Sequence, residues 1–511
     1  MSARGRRGIA VMLAAATSLS GCAVGPDFKV PAAPDVERYT KERLASHTAS
    51  ADVAFGASQH FVNGKDVQAA WWRMFRSPAL NSLIDKSLQA NPTVQSAMAA
   101  LRAAKEAVYA QQGHYFPLVQ ANFNPTTGKV AQSVSSPLAN GDTSYSLYTA
   151  QVLVSYTFDV WGLNRRMVES QQALADFQRF QAEAAYLTLV SNVVVAAIQE
   201  ASLRGQIDAT HQIIDINTKM LDILRRQFES GYANRSDVAA QEAALAQARA
   251  LLPPLEKALA VQRDLVSALA GRFPSQEPAE TFRLAAMHLP TDLPVTLPST
   301  LIQQRPDVRS AEEQLHSASA QIGVAIANIL PNFTINGARG YSATELAGLI
   351  SPPNLFWTVA GNATQTLFDG FTLWHQERGA EEAYQQAAWT YRATVVAALQ
   401  NVADSLHALQ NDADALKAAY EFERAAKISL DLARQQIETG YANIILLLNA
   451  EQTYQQALVG LVQAQANRLS DAAALYQALG GGWWNREAPP APEQKLDVAS
   501  ARAVPLTDKH D

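Results

Sequence analysis

The chain repeats itself once at a distance of about 210 residues, and no other feature narrows its fold as much. Gly231-Tyr232-Ala233-Asn234 recurs as Gly440-Tyr441-Ala442-Asn443, an offset of 209, and Phe158-Asp159 recurs as Phe368-Asp369, an offset of 210. Asn91-Pro92-Thr93-Val94 returns as Arg305-Pro306-Asp307-Val308 and Phe116-Pro117 as Leu330-Pro331, both at 214. Four landmarks in one order at one spacing make a tandem duplication. A period this long means two copies of a large unit and argues against a solenoid of small ones.

Each unit reads alike. Pro92 and Pro306 stand where a helix starts, in the first turn, where a missing N–H costs nothing. The helix runs to Gln112 or Asn328 and stops at Pro117 or Pro331. Strand-like stretches follow: Leu118 to Asn124 with Ser146 to Phe158, then Asn332 to Tyr341 with Phe356 to Leu367. In the clearest, Tyr148, Ala150, Val152, Val154, Tyr156 and Phe158 alternate with Thr149, Gln151, Leu153, Ser155 and Thr157. That pattern suits either a half-buried strand of a soluble sandwich or a tilted crossing of an outer membrane, and ten to thirteen residues match the crossing. Long helical patterns then run from Asn164 to Glu229 and from Phe371 to Glu438, about 100 Å each at 1.5 Å per residue. Leu203, Ile207, Ile214, Leu221, Leu224 and Phe228, and in the second copy Leu399, Leu406, Leu409, Leu416 and Tyr420, have the heptad-like spacing of helices packed side by side. Gly231 and Gly440 end them, and second helices return to Gly271 and Leu479, the first interrupted at Pro253-Pro254.

The ends add an address. Arg4, Arg6 and Arg7 precede an apolar Ile9 to Leu19, the layout of an export signal. Leu19-Ser20-Gly21-Cys22 resembles the lipobox of bacterial lipoproteins, whose Cys is acylated after cleavage; the alternative is an ordinary cleavage site with a Cys after it. Ala23, where an Asp would favour inner-membrane retention, is permissive for transfer to the outer membrane. Cys22 is the only cysteine, which removes disulfides and thiolate metal sites. Loss of 21 residues leaves 38 basic against 47 acidic side chains, so no basic footprint for nucleic acid exists. No 18 apolar residues run uninterrupted, since Leu187 to Ile198 contains Thr188, Ser191 and Asn192; a transmembrane α-helix is not expected.

With these residues in view, the chain resembles the TolC and OprM family of outer-membrane efflux proteins, in its lipidated branch that serves resistance-nodulation-division pumps. The likeness spans Cys22-Ala-Val-Gly-Pro-Asp-Phe, Trp71-Trp72 with Phe75, Pro78 and Leu80, then Phe158-Asp159-x-Trp161-Gly162, both Gly-Tyr-Ala-Asn turns and the closing Ala478-Leu479-Gly480-Gly481-Gly482-Trp483. It implies a mixed α and β fold: a homotrimer whose four strands per chain make a 12-stranded transmembrane β-barrel, continued by a long periplasmic α-helical barrel. Four strands cannot close a barrel, whereas three chains supply 12. The expected division is signal peptide 1–21, lipid anchor and N-terminal periplasmic segment 22–90, repeat one 91–290, repeat two 291–480 and tail 481–511.

The resemblance also assigns sites. Gly231, Tyr232, Ala233 and Asn234, with Gly440, Tyr441, Ala442 and Asn443, become docking turns for a periplasmic adaptor that joins the duct to the inner-membrane pump, while also capping helices. Relatives often carry acidic residues past the second turn; here those positions are Leu446 and Asn449, within an apolar run, and Asp237 lies six residues past Gly231. Asp237, Leu446 and Asn449 are therefore the candidate entrance gate. Asp237 reads either as a ring of carboxylates in the trimer or as a charge on a helix dipole, and Leu446 either as a constriction or as packing between helices.

No histidine pairing suits a metal, Gly480-Gly481-Gly482 lacks a phosphate-loop Lys, and no Gly-x-Ser-x-Gly elbow occurs. The expectation is a non-enzymatic, cofactor-free exit duct in the outer membrane that passes small molecules such as drugs, its one attached group the lipid on Cys22. A duct for protein secretion and a lipid-anchored coiled-coil scaffold are the alternatives. The substrate is not written in these residues, and 489–511 receives no role.

Overall fold

The computed structural model describes residues 23–42, 45–131, 133, 142–439 and 444–486. The signal segment, Cys22, the Gly440–Asn443 turn and the tail beyond 486 lie outside these residues.

The N-terminal segment holds a short β1 (His60–Asn63) and α1 (Pro78–Ala90), and repeat one is built from α2 (Pro92–Gln112), β2 (Leu118–Lys129), β3 (Ser144–Phe158), α3 (Leu163–Glu229), α4 (Arg235–Ala250) and α5 (Leu252–Leu269). Repeat two follows β4 (Asp292–Val295) with α6 (Pro298–Gln304), α7 (Pro306–Ile329), β5 (Asn332–Ala343), β6 (Leu355–Thr364), α8 (Thr372–Glu438) and α9 (Ile444–Ala478). The expected order holds in both copies. Pro92 and Pro306 each open a helix, and Pro253-Pro254 divides the first return into α4 and α5.

Strand limits differ from expectation by one or two residues at the start of β3, the end of β5 and the start of β6, and by more at two places. β2 continues through Pro125 to Lys129, being the outermost strand of the sheet within one chain, with a neighbour on one side only, where a proline is tolerated. β6 ends at Thr364, opposite Asn332, and not at Leu367, because β5 begins after Pro331 and offers nothing further to pair with.

β2, β3, β5 and β6 form one antiparallel sheet in the order β2-β3-β5-β6. The register sorts side chains onto two faces. Val119 and Phe123, Val152, Val154 and Tyr156, Phe333 and Ile335, and Leu355, Trp357 and Val359 share one face. Gln120, Asn122, Gln151, Ser155, Asn336, Ser342, Thr358 and Asn362 share the other, where Ser155 Oγ donates to Asn336 Oδ1 at 2.7 Å. Among the described residues nothing packs on the apolar face: Val119, Trp357 and Val359 are more than 60% exposed. Two charges lie on it: Arg339, in register with Trp357 and Val152, and Lys129 at the end of β2, in register with Ser144.

α3 and α8, 67 residues each, extend about 100 Å. On α8 the buried positions Tyr391, Val395, Ala398, Val402, Ser405, Leu409, Ala413 and Leu416 recur at heptad spacing. On α3 the buried stripe nearer the turn is Ile213, Asn217, Met220, Leu221 and Leu224, so Ile214 is only half-buried and Phe228 is exposed. α3 also contains an 18-residue window of mean hydropathy 1.4 that by composition alone a bilayer would accept, because isolated Thr, Ser and Asn lower such an average little. Half of the window is buried inside the protein, and Val190, Val193, Val194, Ala197 and Ile198 belong to the main core.

That core lies midway along the helices and gathers three distant parts of the chain. Trp71 stacks on Tyr476 with ring centroids 5.3 Å apart, and Phe75, Leu80, Phe282, Leu289 and Leu469 close around them. β1 pairs in parallel with β4, tying the N-terminal segment to the link between repeats. Gly480, Gly481 and Gly482 all have positive φ and end α9; a Cβ on Gly482 would sit 2.5 Å from the Val67 carbonyl oxygen. The turn brings Trp483 Nε1 to the Gln304 carbonyl at 2.6 Å and Asn485 Nδ2 to Asp66 Oδ2 at 2.7 Å.

Candidate functional site

The candidate site has two ends: the sheet, and the turns some 100 Å away. At the sheet end each long helix begins on an aspartate. Asp159 accepts from the main-chain N–H of Asn164 (2.8 Å) and Arg165 (3.0 Å), and Asp369 from those of Thr372 (3.1 Å) and Leu373 (2.8 Å). The recurring Phe-Asp pair thus marks where a strand becomes a helix, a role its repetition alone did not disclose. Gly162 and Phe371, the residues just before the helices, both have positive φ, which suits the glycine and strains the phenylalanine.

The N-terminal strap is fastened at this level. Val24 N–H donates to the Trp161 carbonyl at 3.0 Å, and Ala23 lies so close to Gly162 that a Cβ there would sit 2.6 Å from its own. Buried Arg166 donates to the carbonyls of Val24 (3.0 Å) and Gly25 (3.2 Å), to Asp27 (2.8 Å) and to Glu169 (2.7 Å). Phe28 stacks on His316 at 4.4 Å, and that imidazole lies 3.3 Å from Glu313 and 3.2 Å from Glu169. The hydrogen bond to Glu313 raises the His316 pKa, with Glu169 adding to it and burial opposing.

At the far end, Gly231 has φ +78° and leaves open space where a Cβ would be, so the turn needs its backbone freedom and not its lack of bulk. Tyr232 N–H closes the turn onto the Gln227 carbonyl at 2.8 Å, and the Tyr232 ring is 88% exposed. Asn234 starts α4 in an extended conformation, and its N–H donates to Asp237 Oδ2 at 3.2 Å. Asp237 thereby serves the start of the helix. Leu446 and Asn449 lie on exposed positions of α9, while Leu447 and Ala450 point into the core between the hairpins. Gly440, Tyr441, Ala442 and Asn443 fall outside the described residues, as does Cys22. Among the described residues no cluster of His, Cys, Asp or Glu could hold a metal ion.

An unpacked apolar sheet face, a polar face behind it and paired 67-residue helices, the first ending in an exposed turn, describe a wall and a tube. The family model for outer membrane efflux proteins matches residues 83–272 and 297–481, well over half of the chain and one segment per repeat. The chain belongs to the outer membrane efflux protein family. Among relatives, a pyoverdine export outer membrane protein, OpmQ of Pseudomonas putida, is 26% identical over 81% of this chain and 88% of its own length. A probable efflux pump outer membrane protein, TtgC of Pseudomonas putida, is 26% identical over 92% of this chain and 94% of its own. Among solved structures, the outer membrane protein VceC of Vibrio cholerae has a TM-score of 0.76 at 25% identity, covering 82% of this chain and 100% of its own. The outer-membrane channel OprN has a TM-score of 0.78 at 24% identity over 90% of this chain, a likeness of fold. As an outer membrane efflux protein, the chain is a component of transport located in the outer membrane, and its family is one of channels and not of enzymes.

Proposed function

We propose that this efflux protein is the passive outer-membrane exit duct of a tripartite system, conducting small molecules delivered by an inner-membrane resistance-nodulation-division pump through a periplasmic adaptor. The two-faced sheet carries the reading. Its apolar face suits lipid, its polar face suits a water-filled lumen, and its outer strands β2 and β6 each lack a neighbour on one side. Lipid leaves no backbone group unpaired, so the sheet must be closed by other copies; three chains give a 12-stranded barrel, with the helices continuing it into the periplasm.

The exposed Gly231–Asn234 turn, with its repeat at 440–443, serves as the adaptor contact. Leu446, Asn449 and Asp237 lie near the entrance, Asp237 chiefly as a helix-starting carboxylate. Lipid on Cys22 agrees with the strap, which fastens the next residue, Ala23, at the level where strands become helices. Energy for transport then comes from the pump, and the chain performs no catalysis. Toluene, antibiotics and pyoverdine are named for relatives, so small organic solutes are the cargo class.

Planar-bilayer recording tests this, combined with gel migration of unboiled protein. The purified protein should migrate as a trimer and give small or flickering conductance, larger in Asp237→Ala. A monomer on the gel together with silent bilayers would overturn the duct.

A further inference from the structure

About two turns into α4 and α9 the two hairpins meet across one buried polar layer. Gln241 of α4 and Glu451 of α9 are 210 residues apart, so they occupy the same place in the two copies of the repeat. The duplication sets them against each other. Gln241 Nε2 donates to Glu451 Oε2 at 3.2 Å and to Asn217 Oδ1 at 3.1 Å, and Asn217 Nδ2 donates to the Ile213 carbonyl at 2.9 Å. Gln241 is 0%, Glu451 3% and Asn217 3% exposed, within a cluster that includes Met220, Leu221, Val238, Leu245, Leu430, Leu447 and Tyr454.

Among the described residues, two atoms of this layer find no hydrogen-bond partner: Glu451 Oε1 and Gln241 Oε1, both buried. In a carboxylate and an amide both are acceptors, and neither can satisfy the other. Turning the amide over only exchanges which pair of atoms is mismatched. One added proton resolves both, since a carboxylic acid and a carboxamide form a cyclic pair in which the amide N–H donates to one acid oxygen and the acid O–H donates to the amide oxygen. We propose that Glu451 is a neutral carboxylic acid in the packed bundle, paired with Gln241, and that the pair is a proton-operated latch between the two helical hairpins.

The surroundings favour the neutral form. Burial raises the Glu451 pKa, opposed by the bond from Gln241 and by the field of Arg434 on α8. Glu423 and Asp431, also on α8, act on Tyr454 one turn further along α9. From α3 and α4 the facing groups are the uncharged Asn217 and Gln241; Arg225 and Glu242 of those helices pair with each other at 2.9 Å on the surface. Ionisation would leave a carboxylate without a full set of donors in an apolar layer, a cost relieved by admitting water between the hairpins. Because the folded pKa lies above the unfolded one, the latch is closed in acid and is lost as pH rises through the folded value. Each pH unit between the unfolded and the folded value weakens it about tenfold, and above the folded value the loss is complete.

The test uses the full-length protein in detergent. The infrared difference between wild type and Glu451→Gln at about pH 6, well above an ordinary Glu pKa, should contain the carbonyl band of a protonated carboxyl group that fades as pH rises. Wild-type melting temperature should fall over the same range, while the difference between it and that of the permanently neutral Glu451→Gln widens. Gln241→Glu combined with Glu451→Gln exchanges the partners across the repeat and should restore a titrating melt that Glu451→Gln lacks; Gln241→Glu alone, with two acids in one layer, should titrate more steeply than wild type. Absence of the protonated band, or parallel pH profiles for wild type and Glu451→Gln, would overturn the proposal. Both readouts concern the hairpins and stand whether or not the protein conducts.

Discussion

Single side chains decide where this chain changes from one kind of structure to another. Asp159 and Asp369 each satisfy two N–H groups at the start of a 67-residue helix, immediately beside the sheet. Replacing either by Ala should cost about 0.5–2 kcal/mol, read as a lower midpoint in thermal or denaturant unfolding, with the two effects additive because the sites share no partner. His316 performs a different task. Its folded pKa is raised by Glu313 and Glu169, so its contribution is complete below the unfolded value near 6.5 and is lost as pH rises through the folded one. The stability difference between wild type and His316→Gln should therefore be greatest in acid and shrink in alkali; an equal difference at every pH would show that the imidazole only fills space. Phe371, at φ +68°, has a strained backbone that its repeat partner Gly162 avoids, a small asymmetry that the repeat tolerates.

Among the elements, the strands show most directly what the sequence discloses. Val154 and Ser155 are neighbours in β3 yet belong to opposite environments, one in register with Val119 and Gly337, the other with Leu118 and Asn336. Val154→Arg should cost about 2–4 kcal/mol in a bilayer, whereas Ser155→Arg should leave folding nearly unchanged and alter conductance. Equal costs, measured by unfolding from lipid vesicles, would mean that the apolar face does not meet lipid. The alternation of β3 was legible because a two-residue period needs only one strand. The end of β2 was not, since a proline stops a central strand but not an edge one, and position in a sheet is not a local property. Similarly, Ile213 and Ile214 are adjacent, and which of them turns inward is settled by the neighbouring hairpin, so a spacing count that chose Ile214 missed the stripe through Ile213 and Asn217. The Gly231–Asn234 turn could be read from its repetition in the sequence. The layer of Gln241 and Glu451 could not, because each in isolation is one polar residue among many on an Ala- and Gln-rich helix. Aligning the two copies, however, places them at one position.

At the scale of the molecule, the central core fastens the N-terminal segment, the link between repeats and the C-terminal turn into one body. Trp71 is at its centre, 1% exposed and stacked on Tyr476. Trp71→Ala should cost about 3–5 kcal/mol and lower the unfolding of both repeats together, because the cavity belongs to both; loss confined to one repeat, seen as two separate transitions, would mean that they are independent. The sheet presents the opposite case, being unfinished at β2 and at β6. A single chain carries only a third of the wall it needs, so the pore is a property of a population of subunits and not of any one of them. This has a genetic consequence. If a cell makes equal amounts of a sound chain and one whose edge still pairs but whose lumen is blocked, random mixing in threes leaves only about one assembly in eight free of the faulty copy. Damage that spares the edges should therefore be dominant, while damage that destroys β2 or β6 pairing should be silent beside a healthy allele, since such a chain never joins the ring it would spoil.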